Sequence, residues 1–291
     1  MCGLRSLVSR QEGPPDRRPE TEERHQDHFR GPCNVADITV RNLTKEFARA
    51  DGSNLRVIGG LTFDVKEGEF VSIVGPSGCG KSTLLSIMAG LEEPSGGDIQ
   101  LNGRPFGPGE NGMKLGFVFQ QPRLLNWRSV RRNVMLPLER SGLAVEEQEQ
   151  LAGRYLDLVR LGGFEDYFPL QLSGGMQQRV AIARALVVEP DVLLMDEPFS
   201  SLDEINARKM RAELIRIWQE TKKTIVFVTH DISEAVFLSN RVLIVTERPT
   251  RVFHMFPVDV GYPREYDDDR LFELSKSVSR IFMQMEERHE Q

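Results

Sequence analysis

Phe70-Val71-Ser72-Ile73-Val74-Gly75-Pro76-Ser77-Gly78-Cys79-Gly80-Lys81-Ser82 reads as an apolar strand running into a glycine-rich loop. A helix-like stretch, Ser82 to Leu91, leads out of it. Strand, loop and helix start are the context that a phosphate-binding loop needs. The glycines let consecutive backbone N–H groups turn inward toward an anion. The free N–H groups and positive dipole end of the helix favour the same anion. Lys81 adds a mobile charge for the outer phosphates. The Ser82 hydroxyl suits Mg²⁺, a hard cation that takes oxygen ligands. The loop therefore predicts binding of a nucleoside triphosphate.

The rest of the chain bounds this reading. Its 291 residues suffice for a sizeable core, and a hydrophobic fraction of 40% with 27% charged residues is ordinary for a globular protein. A net charge of -6 gives no global basic field, so no nucleic-acid partner is expected. No apolar run reaches the roughly 18 residues of a membrane span, and no secretory signal is visible. Cys2, Cys33 and Cys79 are widely spaced and odd in number, which argues against a disulfide framework. Residues 1–34 read as a disordered, charged tail, in which His25 and His28 lack the further ligands a stable metal site wants.

Outward from the loop, hydrophobic patterning predicts strands at Asp37–Val40, Leu55–Val65, Asp98–Gly103 and Leu115–Phe119. The period turns helical between Ser129 and Gly163, and again over Gln177–Val188. Val192–Met195 is a short, fully apolar run, as a buried parallel strand is, and Thr224–Thr229 reads as a second buried strand. Helices are expected over Ile205–Thr221 and Ile232–Leu238, with a strand at Arg241–Thr246. The fold class is α/β: a mainly parallel sheet, an N-terminal antiparallel β-subdomain and an inserted α-helical subdomain. Tyr262–Asp269 reads as a polar connector, and Leu271–Glu286 as an amphipathic helix that packs on the body or a partner.

The run Val192-Leu193-Leu194-Met195-Asp196-Glu197 delivers two carboxylates to a strand's C-terminal end, where ligands of parallel sheets bind. Neighbouring strand residues point to opposite sides, so the two acids should have separate tasks. Asp196 suits the Mg²⁺ shell, and Glu197 suits polarising an attacking water as general base.

Leu172-Ser173-Gly174-Gly175-Met176-Gln177-Gln178-Arg179 resembles the signature motif of ABC transporter ATPases. Ser173 is an N-cap type of residue, and the glycines allow close approach to an anion. The resemblance covers about residues 35–255 and implies the P-loop NTPase fold. It implies ATP and Mg²⁺ as cofactors, with Gly75, Pro76, Ser77, Gly78, Cys79, Gly80, Lys81, Ser82 and Thr83 contacting the nucleotide. It assigns Gln120 to a loop reaching Mg²⁺ and water, and His230 to the γ-phosphate. It assigns Phe47, where relatives often carry Tyr, to the adenine. Ser173, Gly174, Gly175 and Asp203 would serve the nucleotide of a second copy. Catalytic residues are then Glu197, His230, Lys81 and Gln120; metal residues are Ser82, Gln120 and Asp196.

The resemblance implies a homodimer that powers separate transmembrane permease subunits from the cytoplasmic face of the membrane, with a solute-binding protein as indirect partner. Leu124, Leu125 and Trp127 would offer apolar surface to a permease helix. The stretch Phe119–Trp127, the segment Thr246–Val252 and the tail are similar to importers of nitrate, sulfonates and taurine. A soluble ABC ATPase of translation or DNA repair, or an exporter subunit, remains the alternative. The expected organisation is residues 1–34 as tail, 35–260 as ATPase domain with a helical subdomain near 123–176, and 261–291 as connector and terminal helix. Cys79 lies inside the loop, so its alkylation should block ATP binding.

Overall fold

A computed structural model describes residues 37–106 and 113–289. The tail and its histidines lie outside the described residues. The main sheet holds β3 (Phe70–Val74), β6 (Leu115–Val118), β7 (Val192–Asp196), β8 (Thr224–Thr229), β9 (Arg241–Val245) and β10 (Val252–Pro257). Its order is β10-β9-β3-β8-β7-β6. The strands from β9 to β6 run parallel, and β10 adds an antiparallel edge.

Continuous apolar runs form these strands because both sheet faces are covered. On β3, Phe70 and Val74 enter one core and Val71 and Ile73 the other. That alternation is the period of two that a strand imposes. On the first face lie α4 (Gly174–Leu186), α5 (Glu204–Thr221), α6 (Ile232–Leu238) and α7 (Asp269–His289). The second face holds α1 (Lys81–Met88) and the antiparallel sheet of β1 (Ile38–Ala48), β2 (Asn54–Val65), β4 (Gly96–Leu101) and β5 (Arg104–Pro105), in the order β2-β1-β4-β5. Between β6 and β7 the chain inserts α2 (Val130–Met135), α3 (Val145–Leu158) and α4. The predicted architecture is present. Among the described residues, no helix is long and apolar enough to cross a membrane.

Several boundaries differ from the sequence reading. β1 continues from Val40 to Ala48, because β2 pairs along its whole length through register shifts. α4 starts at Gly174 rather than Gln177, since Ser173 caps it through a 3.3 Å bond from Met176 N to its Oγ. β10 was not expected; it is a half-buried edge strand ending in Pro257, without the alternation that marks a strand. The connector Tyr262–Asp269 is not uniformly solvated. Arg264 is buried and donates to the carbonyls of Val236, Phe237, Ser239, Val258 and Val260. It thereby satisfies carbonyls at the C-terminal end of α6. α7 then lays Leu271, Val278 and Met285 onto the first core.

Candidate functional site

The glycine-rich loop leaves β3 at the sheet's C-terminal edge. Close packing dictates its glycines. A Cβ on Gly75 would lie 2.6 Å from Val245 Cγ2, and one on Gly80 would lie 2.8 Å from Val57 Cγ1. Gly80 also has φ +128°, which side chains rarely adopt. Lys81 Nζ donates to the carbonyls of Gly75 at 2.8 Å and Pro76 at 3.0 Å, so its ammonium lies against the loop's own backbone. Ser77, Gly78 and Ser82 are exposed, and Pro76 and Thr83 half-buried. Cys79 is only 2% exposed. Burial pushes its thiol up, while the charges of Lys81 and Arg248 act the other way. The thiolate is the reactive form, so alkylation of Cys79 requires the loop to open.

The two carboxylates arrive at the end of β7. Ser82 Oγ donates to Asp196 Oδ1 at 3.0 Å. Burial raises the Asp196 carboxyl above its usual range, and the charge of Glu197 adds to this. Glu197 leaves the strand with φ 42°, a left-handed conformation costing about 1–2 kcal/mol for a residue with a Cβ. Its N–H donates to Val228 O at 2.9 Å. The two acids are thus separated by a turn rather than by strand alternation. Glu197 Oε2 lies 2.9 Å from His230 Nδ1, on the exposed turn after β8.

Gln120 reaches the same place through a residue that the sequence did not single out. Its Nε2 donates to Ser200 Oγ at 3.1 Å, and Ser200 Oγ donates to Glu197 O at 2.9 Å. No motif marks Ser200; only the turn after Glu197 brings it there. The loop following Gln120 is pinned by buried Asn133, which donates to the carbonyls of Leu125, Arg128 and Ser129 and accepts from Leu125 N. Leu124 turns toward the core, while Trp127 remains 76% exposed.

The structure therefore brings together Lys81, Ser82, Asp196, Glu197, His230 and Gln120. It leaves the remaining candidates elsewhere. Ser173 and Gly174 are exposed at the start of α4, and a Cβ on Gly174 would meet Leu202 Cδ2 at 3.7 Å. Among the described residues, no hydrogen bond joins them to the Gly75–Ser82 loop. Asp203 caps α5 by accepting from Asn206 N at 3.1 Å and Asn206 Nδ2 at 2.7 Å, bonds that hold its carboxyl below the usual range. Phe47 sits half-buried on β1 against the second core, with Lys45 Nζ 4.7 Å from its ring centroid.

Behind the site, between α5 and α6, lies a buried ion pair. Arg211 on α5 donates to Glu234 on α6 at 2.9 Å, their side chains being 7% and 6% exposed. Thr229 Oγ1 donates to the other Glu234 oxygen at 2.5 Å and accepts from Asp231 N at 3.0 Å. This cluster fixes the turn that carries His230. Its residues lie in a helical pattern and a buried strand, so only their juxtaposition reveals it.

Comparison with known proteins identifies the family. Residues 58–200 match the family described as ABC transporter. An uncharacterized ABC transporter ATP-binding protein of Methanocaldococcus jannaschii, MJ0412, is 44% identical over 84% of this chain and 90% of that protein. The aliphatic sulfonates import ATP-binding protein SsuB of Bacillus cereus is 38% identical over 84% of this chain and 95% of that protein. Among solved structures, the dimeric post-hydrolysis state of the ATP-binding cassette MJ0796 bound to ADP and Pi aligns with a TM-score of 0.67. Its identity is 34%, over 77% of this chain and 100% of that one. The chain belongs to the ABC transporter family, as an ATPase subunit on the P-loop NTPase fold.

Proposed function

We propose that this ATPase subunit powers the import of a small anion such as nitrate, a sulfonate or taurine, and that it acts as a homodimer. The observation carrying the catalytic assignment is the pair of contacts at one sheet edge: Ser82 with Asp196, and Glu197 with His230. The substrate class rests on the 38% identity to the sulfonate importer subunit.

The Gly75–Ser82 amides and Lys81 hold the phosphates of ATP, and Thr83 adds a hydroxyl in the first helical turn. The ring of Phe47 carries the adenine. Ser82, Asp196 and Gln120 would hold Mg²⁺. They fit it, because all three offer oxygen donors at one sheet edge, with Ser82 Oγ 3.0 Å from Asp196 Oδ1, and burial leaves the Asp196 carboxyl raised although Lys81 and Arg123 pull it down. When bound, the ion neutralises charge on the β- and γ-phosphates. Glu197 takes the proton of the attacking water, and His230, held by Glu197, contacts the γ-phosphate. Ser173, Gly174, Gly175 and Asp203 belong to the site of the second copy, so closure of the dimer completes it and excludes water.

Residues 35–260 make the ATPase domain, with a helical subdomain at about 123–176. The segment 261–291 extends it. In this reading the chain works at the cytoplasmic face of the membrane, where Trp127 offers its exposed ring to a permease subunit and a solute-binding protein delivers the anion. Glu197→Gln tests the catalytic assignment. Turnover is expected to fall about 10²–10⁴-fold, with ATP binding within threefold and ATP-induced dimerisation intact by size-exclusion chromatography. Retention of more than a tenth of wild-type turnover would remove Glu197 as the base. In reconstituted transporter, stimulation of turnover by taurine, an alkanesulfonate or nitrate tests the substrate class.

A further inference from the structure

We propose that Arg248 is a further nucleotide-binding residue: its guanidinium brings a second side-chain cation to the phosphates held by the Gly75–Ser82 loop. The inference rests on that loop holding ATP as described above.

The turn joining β9 to β10 is built against the phosphate loop. β9 runs parallel beside β3, with Val74 opposite Ile244, so its exit lies next to Gly75. Thr250 Oγ1 donates to the carbonyl of Cys79, inside the phosphate loop. Thr250 N donates to Val57 O at 2.8 Å, and Gly59 N donates to Thr250 O at 2.8 Å. Thr246 N bonds to Arg251 O at 2.9 Å and closes the turn. Residues 246–251 therefore form a rigid platform whose tip carries Arg248.

Arg248 points toward the loop. Its Nη2 comes within 4.0 Å of the Cβ position of Gly78, an exposed glycine at φ +73°. Its charge also reaches inward, acting on the Cys79 thiol. Among the described residues, no carboxylate pairs with Arg248. Arg241, on the same strand-turn unit, is instead taken up by Asp64 and Glu69. A guanidinium left beside Gly78 of this loop gains little from its protein surroundings. It matches the oxygens of a phosphate, which it can bond through two parallel N–H groups.

Equilibrium dialysis with ATP and with AMP tests this on wild type, Arg248→Ala, Arg248→Gln and Arg248→Lys. Arg248 is exposed, so the nucleotide-free variants are expected to melt with wild type. The Kd for ATP should rise about three- to thirtyfold in the Ala and Gln variants at low salt, and Lys should recover part of the loss. AMP binding should change less than ATP binding. The salt dependence of ATP binding should become shallower without the charge. Arg248→Gln keeps hydrogen-bonding capacity without charge, and an unchanged ATP Kd in it at low salt overturns the proposal. Equal losses for ATP and AMP overturn it too, since they would report a displaced turn rather than a phosphate contact. Failure of the wild-type protein to bind ATP would instead overturn the reading of the loop itself.

Discussion

Glu234→Gln should destabilise the fold out of proportion to a change of one atom. Glu234 is buried and accepts from Arg211 at 2.9 Å and from Thr229 Oγ1 at 2.5 Å. Burial works against the Arg211 charge, but Glu234 first and Tyr266 beside it more than offset this and push the guanidinium up. Burial likewise pushes Glu234 up, with Thr229 and Arg211 pulling the other way. Removing one partner of a buried pair costs about 3–5 kcal/mol, because a charge is left uncompensated. Here Arg211 keeps Glu204 at 3.3 Å and Asp231 at 3.8 Å, both partly hydrated, so the expected loss is about 2–3 kcal/mol. A glutamine oxygen facing Arg211 also turns the amide N–H₂ toward Thr229, whose hydroxyl then loses its acceptor. For a fold of this size the loss lowers Tm by about 4–12 °C. Replacing both partners, Arg211→Met with Glu234→Leu, should recover more than half of it. Urea unfolding followed by the fluorescence of buried Trp218 measures each corner of the cycle. A loss under about 1 kcal/mol, or a coupling under about 0.5 kcal/mol, would refute the claim that this ion pair ties α5 to α6.

Gly80→Ala puts a Cβ 2.8 Å from Val57 Cγ1 at φ +128°, so it should cost about 1–3 kcal/mol in urea melts. It should also weaken ATP binding at least about tenfold by dialysis, because the loop's N–H groups are re-aimed. Tyr262 gives a pH signature. Burial pushes its hydroxyl up to about 12, with Arg264 acting against it; in the unfolded chain it titrates near 10. Between those values the unfolded chain binds fewer protons than the fold, so stability falls as pH rises through the window. Tyr262→Phe should flatten that fall in urea titrations at alkaline pH. At neutral pH it should cost about 1 kcal/mol for the lost 2.8 Å bond to Leu238 O.

The parts legible in the sequence were those whose backbone or burial leaves little choice. β3, β7 and β8 are mostly apolar because both faces of the sheet are covered, and such runs stand out. The phosphate loop was legible because Gly75 and Gly80 have no room for a Cβ. β10 was not, since a half-buried edge strand carries no period. Arg264 read as part of a polar connector by composition. Its burial depends on a cluster of α6 and post-β10 carbonyls that meet only in three dimensions. Ser200 and Arg248 were invisible for the same reason: each acts through a neighbour distant in sequence, Gln120 for one and Gly78 for the other.

The geometry also links distant parts of the fold to Glu197. Gln120 sits where the main sheet gives way to the inserted helices, and it holds Ser200, which holds the backbone carbonyl of Glu197. Glu197 is strained at φ 42°, so its carboxylate is aimed by the turn around it rather than by a strand. The same turn continues through Leu202, against which Gly174 packs, to Asp203 at the start of α5. α5 is bound through Arg211 to Glu234, in the first turn of α6 just beyond the histidine that Glu197 contacts. A shift of the helical insertion that moves Gln120 thus acts on Glu197 through one hydroxyl. A shift at Ser173–Asp203, where the second copy would dock, acts on it through a covalently continuous turn. Both routes converge on Glu197, whose left-handed backbone is set by the turn around it, and coupling through it needs no motion of the main sheet.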